Sequence, residues 1–124
     1  MKDKRPVNLD MLSIRQPITA WASITHRATG VFLFAGIAVL LWALDASLAS
    51  PESFASLQES LSSPWLKLVI WVVLAGLIYH TVAGVRHLIM DMGIGETMAG
   101  GVLGARIVVA FSAVFIVLAG IWIW

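Results

Sequence analysis

Three stretches of this 124-residue chain are long and apolar enough to cross a lipid bilayer, and that leaves little freedom for anything else. A crossing takes roughly 20 apolar residues, because a helix rises about 1.5 Å per residue through a hydrocarbon layer about 30 Å thick. The stretches run from about Ala20 to Leu48, Trp65 to Met90 and Arg106 to Trp124, with an uncharged core from Ala28 to Leu44. The sequence thus predicts an all-α integral membrane protein, residues 1–124 forming one domain of three transmembrane helices. Composition agrees: 60% of the residues are hydrophobic and 12% charged, against about 25% charged in an ordinary soluble domain. So many apolar side chains cannot all enter one small core, and the lipid bilayer must solvate much of the surface.

The segments between the spans are shorter and more polar. Asp45 to Ser63 is serine-rich and reads as a loop with one helical turn after Ser50-Pro51, a favoured helix start. Asp91 to Ala105 is glycine-rich and reads as a surface turn. Lys2, Lys4, Arg5, Arg15 and Arg27 open the first span, Arg86 and Arg106 flank the second loop, and Lys67 alone lies near the other side. Basic residues favour the cytoplasmic face, which puts the amino terminus inside and the carboxyl terminus outside. Tryptophans 21, 42, 65, 122 and 124 fall near span ends, where indole rings anchor at the interface. The polar start, Met1 to Asp10, precedes an apolar run too long for a signal-peptide core, so no cleavage is expected. Small residues such as Gly36, Gly76, Ala83 and Gly84 would let helices approach closely, and a partner subunit is expected because three helices close a bundle poorly.

Ionisable residues inside spans are costly and mark function. Ser23, His26, Arg27 and Gly30 fall within an arc of about 100° on the first helix, and Gly76, His80, Gly84 and His87 within about 80° on the second. The two helices run antiparallel, so both groups belong to the cytoplasmic half. No cysteine is present, which excludes thiolate and iron–sulfur ligation. Bound iron would then fall to histidine. His80 lies roughly 9 Å deeper than Arg86, counting six residues at about 1.5 Å each, among apolar neighbours. A neutral imidazole there suits haem iron, with Gly76 and Gly84 clearing space for a macrocycle. His26, Arg27, Arg86 and His87 lie nearer the surface, where haem propionates would meet basic groups. The alternative is a structural His80 bonded to a neighbouring helix. The first span passes the level of His80 at about Phe32 to Ala35, and the third span holds neither His nor Met. A second axial ligand would therefore come from another subunit.

Ser23 and Arg27 suit a quinone: a hydroxyl can donate to a quinone carbonyl, and a cation stabilises charge that builds on oxygen during reduction. The plainer alternative is that Ser23 bonds its own helix and Arg27 reaches the lipid phosphates. Asp91 is expected to form an ordinary surface ion pair, with Arg86 or a neighbour. The net charge of +1 argues against a nucleic-acid partner.

The segment Arg5-Pro6-Val7-Asn8-Leu9 followed by Ser23-Ile24-Thr25-His26-Arg27-Ala28-Thr29-Gly30, with His80-Thr81-Val82-Ala83-Gly84-Val85-Arg86-His87-Leu88-Ile89-Met90-Asp91, resembles the two signatures of the succinate dehydrogenase cytochrome b subunits. The resemblance covers nearly the whole chain and is nearest to the short bacterial members. It implies a membrane anchor that binds haem b through His80, packs with a second anchor subunit supplying the other axial histidine, and serves an iron–sulfur and a flavoprotein subunit. It implies Ser23 and Arg27 at a ubiquinone site, His26 and Arg27 near haem propionates, and His87 and Gly84 at the haem edge, in a bacterial inner membrane. Gln16 departs from the pattern, standing where related enzymes carry an aromatic residue, and a polar group there is expected to alter quinone or inhibitor affinity. Two other readings compete: a fumarate reductase anchor that oxidises menaquinol, and a haem-free structural anchor.

Overall fold

The computed structural model describes residue 13 and residues 15–124. The first five residues of the amino-terminal signature, Arg5 to Leu9, and the cations Lys2 and Lys4 lie outside the described residues. Four helices follow one another: α1 (Ile18–Ala49), α2 (Pro51–Leu61), α3 (Pro64–Asp91) and α4 (Met98–Ile123). Helices α1, α3 and α4 are each long and apolar enough to span a membrane. The chain is a multi-pass membrane protein.

Two segments depart from the sequence expectation. After Ser50 the chain makes an 11-residue helix instead of a single turn. Ser50 ends α1 and caps α2, its hydroxyl accepting from Ser53 N at 3.0 Å, while Ser53 Oγ donates back to Ala46 O at 2.7 Å. The third spanning helix begins at Met98, eight residues before Arg106. Thr97 caps it, its hydroxyl accepting from Gly100 N at 3.1 Å. The glycines that read as turn residues lie inside this helix, where two of them face side chains of other helices. A Cβ on Gly101 would touch Thr19, and one on Gly104 would lie 3.2 Å from Arg86 Nε. The turn itself is confined to residues 92–97, where Gly93 and Gly95 take φ of 82° and 74°, values that L side chains avoid.

Buried positions are few and mostly small: Ala22 and Gly36 on α1, Ala83 on α3, Gly101, Ala105 and Ser112 on α4. Large apolar side chains such as Val31, Phe34 and Trp122 point outward, as expected where lipid or a partner is the solvent. The α1–α3 seam is built reciprocally. Gly36 receives Val73, Gly76 receives the Phe32 ring, Gly30 receives His80 and Gly84 receives His26. These fits set the register, and they place His80 opposite Gly30, about one turn from the Phe32–Ala35 level inferred by matching span ends. They also show that Gly76 is filled by Phe32 instead of lying open to a macrocycle.

At the opposite end, Trp71 Nε1 donates to Ile116 O at 2.9 Å and its indole lies over Gly120. Trp71→Phe is expected to lower stability by about 0.5–1.5 kcal/mol, the usual net worth of one hydrogen bond, read as the thermal midpoint of the detergent-solubilised protein.

Candidate functional site

The α1–α3 seam gathers all three histidines of the chain. His80 and His87 project from one face of α3 with Gly84 between them, and the His26 ring enters that gap from α1. His26 stacks on His80 with centroids 4.2 Å apart and planes 10° from parallel, and it meets His87 at 4.9 Å and 44°. A Cβ on Gly84 would lie 3.4 Å from His26 Nε2, so the ring packs directly over the glycine. Among the described residues no His, Cys, Asp and Glu side chains converge in the manner of a multi-ligand metal site. His26 and His80 meet face to face, and His87 is tilted against His26.

The hydrogen bonds of His80 fix its tautomer. Its Nδ1 lies 3.1 Å from the His26 carbonyl oxygen and 3.1 Å from Thr29 Oγ1. A carbonyl only accepts, so Nδ1 carries the proton. Thr29 uses its own proton toward His26 O at 2.8 Å, which leaves its oxygen free to accept from Nδ1. Nε2 then bears the lone pair, and it is not among the sealed, unpartnered atoms of the bundle. A ring whose far N–H is held by a carbonyl and whose near nitrogen is bare is the arrangement that metal-ligating histidines adopt. The donor set therefore fits one axial bond to haem iron. It does not fit two from this chain, because His26 is stacked face to face on His80 with centroids 4.2 Å apart, which leaves no room for a metal between their nitrogens.

Ser23 lines a cleft of about 340 Å³ in which Thr19, Arg86, His87, Glu96 and Thr97 stand beside Met90 and Met98. Thr25, Thr29, Ser47 and Thr81 all bond carbonyls of their own helix. Ser23 makes no such bond among the described contacts, which leaves its hydroxyl free to face the cleft. Arg27 is exposed, and the cleft lining does not include it. Arg86 supplies the cleft's cation. It is bound to α4, Nη2 donating to Gly101 O at 3.1 Å, instead of to Asp91. Gln16 is half-buried just before α1.

A scan of family models matches residues 1–119 to the succinate dehydrogenase/fumarate reductase transmembrane subunit family. The chain belongs to that family. A succinate dehydrogenase cytochrome b556 subunit of Coxiella burnetii is 42% identical over the full length of both proteins. A protein of the same description from Paracoccus denitrificans is 35% identical over 94% of this chain and 90% of its own. The pig mitochondrial succinate dehydrogenase cytochrome b560 subunit is 36% identical over 76% of this chain and 57% of its own.

Sequence reasoning singled out all three histidines but missed two polar contacts beside them. Thr29 holds His80, and Tyr79 crosses from α3 to bond Ala22 O at 3.1 Å and the Thr25 hydroxyl. The spacing of Thr29, three residues after His26 on the same helix, was the available signal.

Proposed function

We propose that the chain is the cytochrome b membrane anchor of a succinate dehydrogenase, holding haem b through His80 and contributing to a ubiquinone-reduction site. The observation that carries this reading is the state of His80: Nδ1 committed to a backbone carbonyl and Nε2 bare, beside basic side chains on two helices. When bound, haem b supplies a one-electron carrier within the membrane. His80 Nε2 would hold it, with His26, Arg27 and His87 offering donors toward its propionates and Gly84 letting the His26 ring approach α3. A second anchor subunit would supply the other histidine to the iron, a reading that the face-to-face packing of His26 supports. Iron–sulfur and flavoprotein subunits complete the assembly. The names of the relatives, all succinate dehydrogenase subunits, favour succinate oxidation over the fumarate-reducing direction within this family.

Ser23 donates a hydrogen bond to a quinone carbonyl at the mouth of its cleft. Arg86 lines that cleft, and Arg27 sits exposed one turn along from Ser23; both provide positive charge to stabilise the negative charge that builds on the quinone oxygen during reduction. Basic residues gather at this end, with Arg15, Arg27, Arg86 and Arg106 against Lys67 at the other. That bias supports a bacterial inner-membrane orientation with the amino terminus cytoplasmic and the carboxyl terminus periplasmic. The test is a reduced-minus-oxidised optical spectrum of the assembled complex together with its succinate:ubiquinone activity. A b-type spectrum with activity is expected; an assembled, active complex without haem would leave only a structural anchor. Ser23→Ala is expected to lower kcat/KM for ubiquinone about tenfold or more, a loss of ~1.4 kcal/mol per tenfold, with the haem spectrum unchanged.

A further inference from the structure

The Thr29 hydroxyl sits in a closed triangle. It donates to His26 O at 2.8 Å and lies 3.1 Å from His80 Nδ1, which itself lies 3.1 Å from the same carbonyl. Nδ1 therefore has two oxygens to donate to, one from the backbone and one from a side chain, both supplied by a single turn of α1. The same edge of the ring lies over Gly30, where a Cβ would come 3.2 Å from Cε1 and 3.8 Å from Nδ1, so the absence of a side chain lets the ring approach this turn of α1. Threonine is suited to the position. Its β-branch and its bond to the i−3 carbonyl hold χ1 in one well, so the oxygen is presented at a fixed angle. Valine would keep the shape and lose the oxygen.

We infer that Thr29 is a positioning residue for His80, holding the Nδ1–H tautomer and the ring orientation and thereby setting the strength of Nε2 as an iron ligand. The inference rests on the haem reading of His80 given above. An acceptor at Nδ1 raises the basicity of the opposite nitrogen, and a more basic ligand favours the oxidised metal. Removing one of the two acceptors shifts the haem equilibrium toward the reduced form.

The experiment uses the full complex purified with wild-type chain, Thr29→Val, Thr29→Ser and His80→Ala. Haem content, the low-spin electron paramagnetic resonance signal and the haem midpoint potential are measured for each. In Thr29→Val we expect haem to be retained while its reduction equilibrium moves about threefold to tenfold toward the reduced state, tenfold corresponding to 59 mV for one electron. The g-anisotropy should shift with it, and Thr29→Ser should return both to within about twofold of wild type. If Thr29→Val does not assemble, Thr29→Ala, which introduces no new atoms, is read the same way. A Thr29→Val complex whose potential and g-values match wild type overturns the positioning role while His80 stands as ligand. A His80→Ala complex that keeps the wild-type spectrum overturns the haem reading and this inference with it.

Discussion

Replacing His80 with alanine is expected to abolish the b-type optical spectrum of the assembled complex, or to convert it to a different coordination state. The expectation follows from how few nitrogens could take over. The chain has three histidines. His26 lies parallel to His80, and its Nε2 is lodged over Gly84. His87 is tilted against the far side of His26, two helical turns along α3 from His80. Neither can bring a nitrogen to the place of His80 Nε2 without unstacking the cluster. Removing the imidazole also leaves Thr29 Oγ1 and the His26 carbonyl without their α3 partner, so some loosening of the seam accompanies the substitution. His26→Ala is the informative contrast: it removes the stacked ring while leaving its backbone carbonyl and Thr29 in place for His80 Nδ1. A spectrum that survives His26→Ala and disappears in His80→Ala would separate the ligand from its packing neighbour. Survival in both would make His80 a structural residue.

The second large effect is expected at the other end of the same seam. Gly36 is buried, and a Cβ there would lie 3.1 Å from Val73 Cγ1, itself buried on α3. Gly36→Leu must force the helices apart or drive Val73 from its rotamer. Overpacking of this kind costs about 1–3 kcal/mol or more. In a bundle whose core is mostly alanine, glycine and serine there is little adjacent volume to absorb it. The measurement is the thermal midpoint and yield of the assembled complex, with a clear fall in both expected. Because α1 and α3 jointly build the histidine cluster, haem content should fall in proportion to assembled protein. An unchanged midpoint would show that the seam tolerates separation and that its glycines do not set the register.

The two histidine motifs illustrate how far the sequence reaches. Helical spacing placed His26 on one arc of α1 and His80 and His87 on one arc of α3, and antiparallel connection brought both arcs to the same end of the bundle. That much follows from local periodicity and hydropathy, which depend only on residues near each other in the chain. The same local rules identified the three spans, since a run such as Ala28 to Leu44 has no other stable solvent than lipid.

What escaped was everything that depends on one helix meeting another. The register placing His80 against Gly30 and Thr29 is set by Val73 in the Gly36 notch and Phe32 in the Gly76 notch, and no single span encodes that fit. Gly100, Gly101 and Gly104 read as turn residues because glycine weakens an isolated helix. With Gly100 against the Gly95 backbone and the Thr97 hydroxyl, Gly101 against Thr19 and Gly104 beneath Arg86, they continue α4 back to the Thr97 cap, since close contact outweighs low propensity. Arg86 looked free for an acidic partner, yet α4 offers it a carbonyl. The sequence by itself thus determined the solvent, the spans and the ionisable residues at one end, because these are properties of single segments. Only the tertiary structure decided the interhelical register, the stacking of His26 on His80 and the tautomer that bares Nε2, because each depends on the shape and donors of a surface elsewhere in the chain.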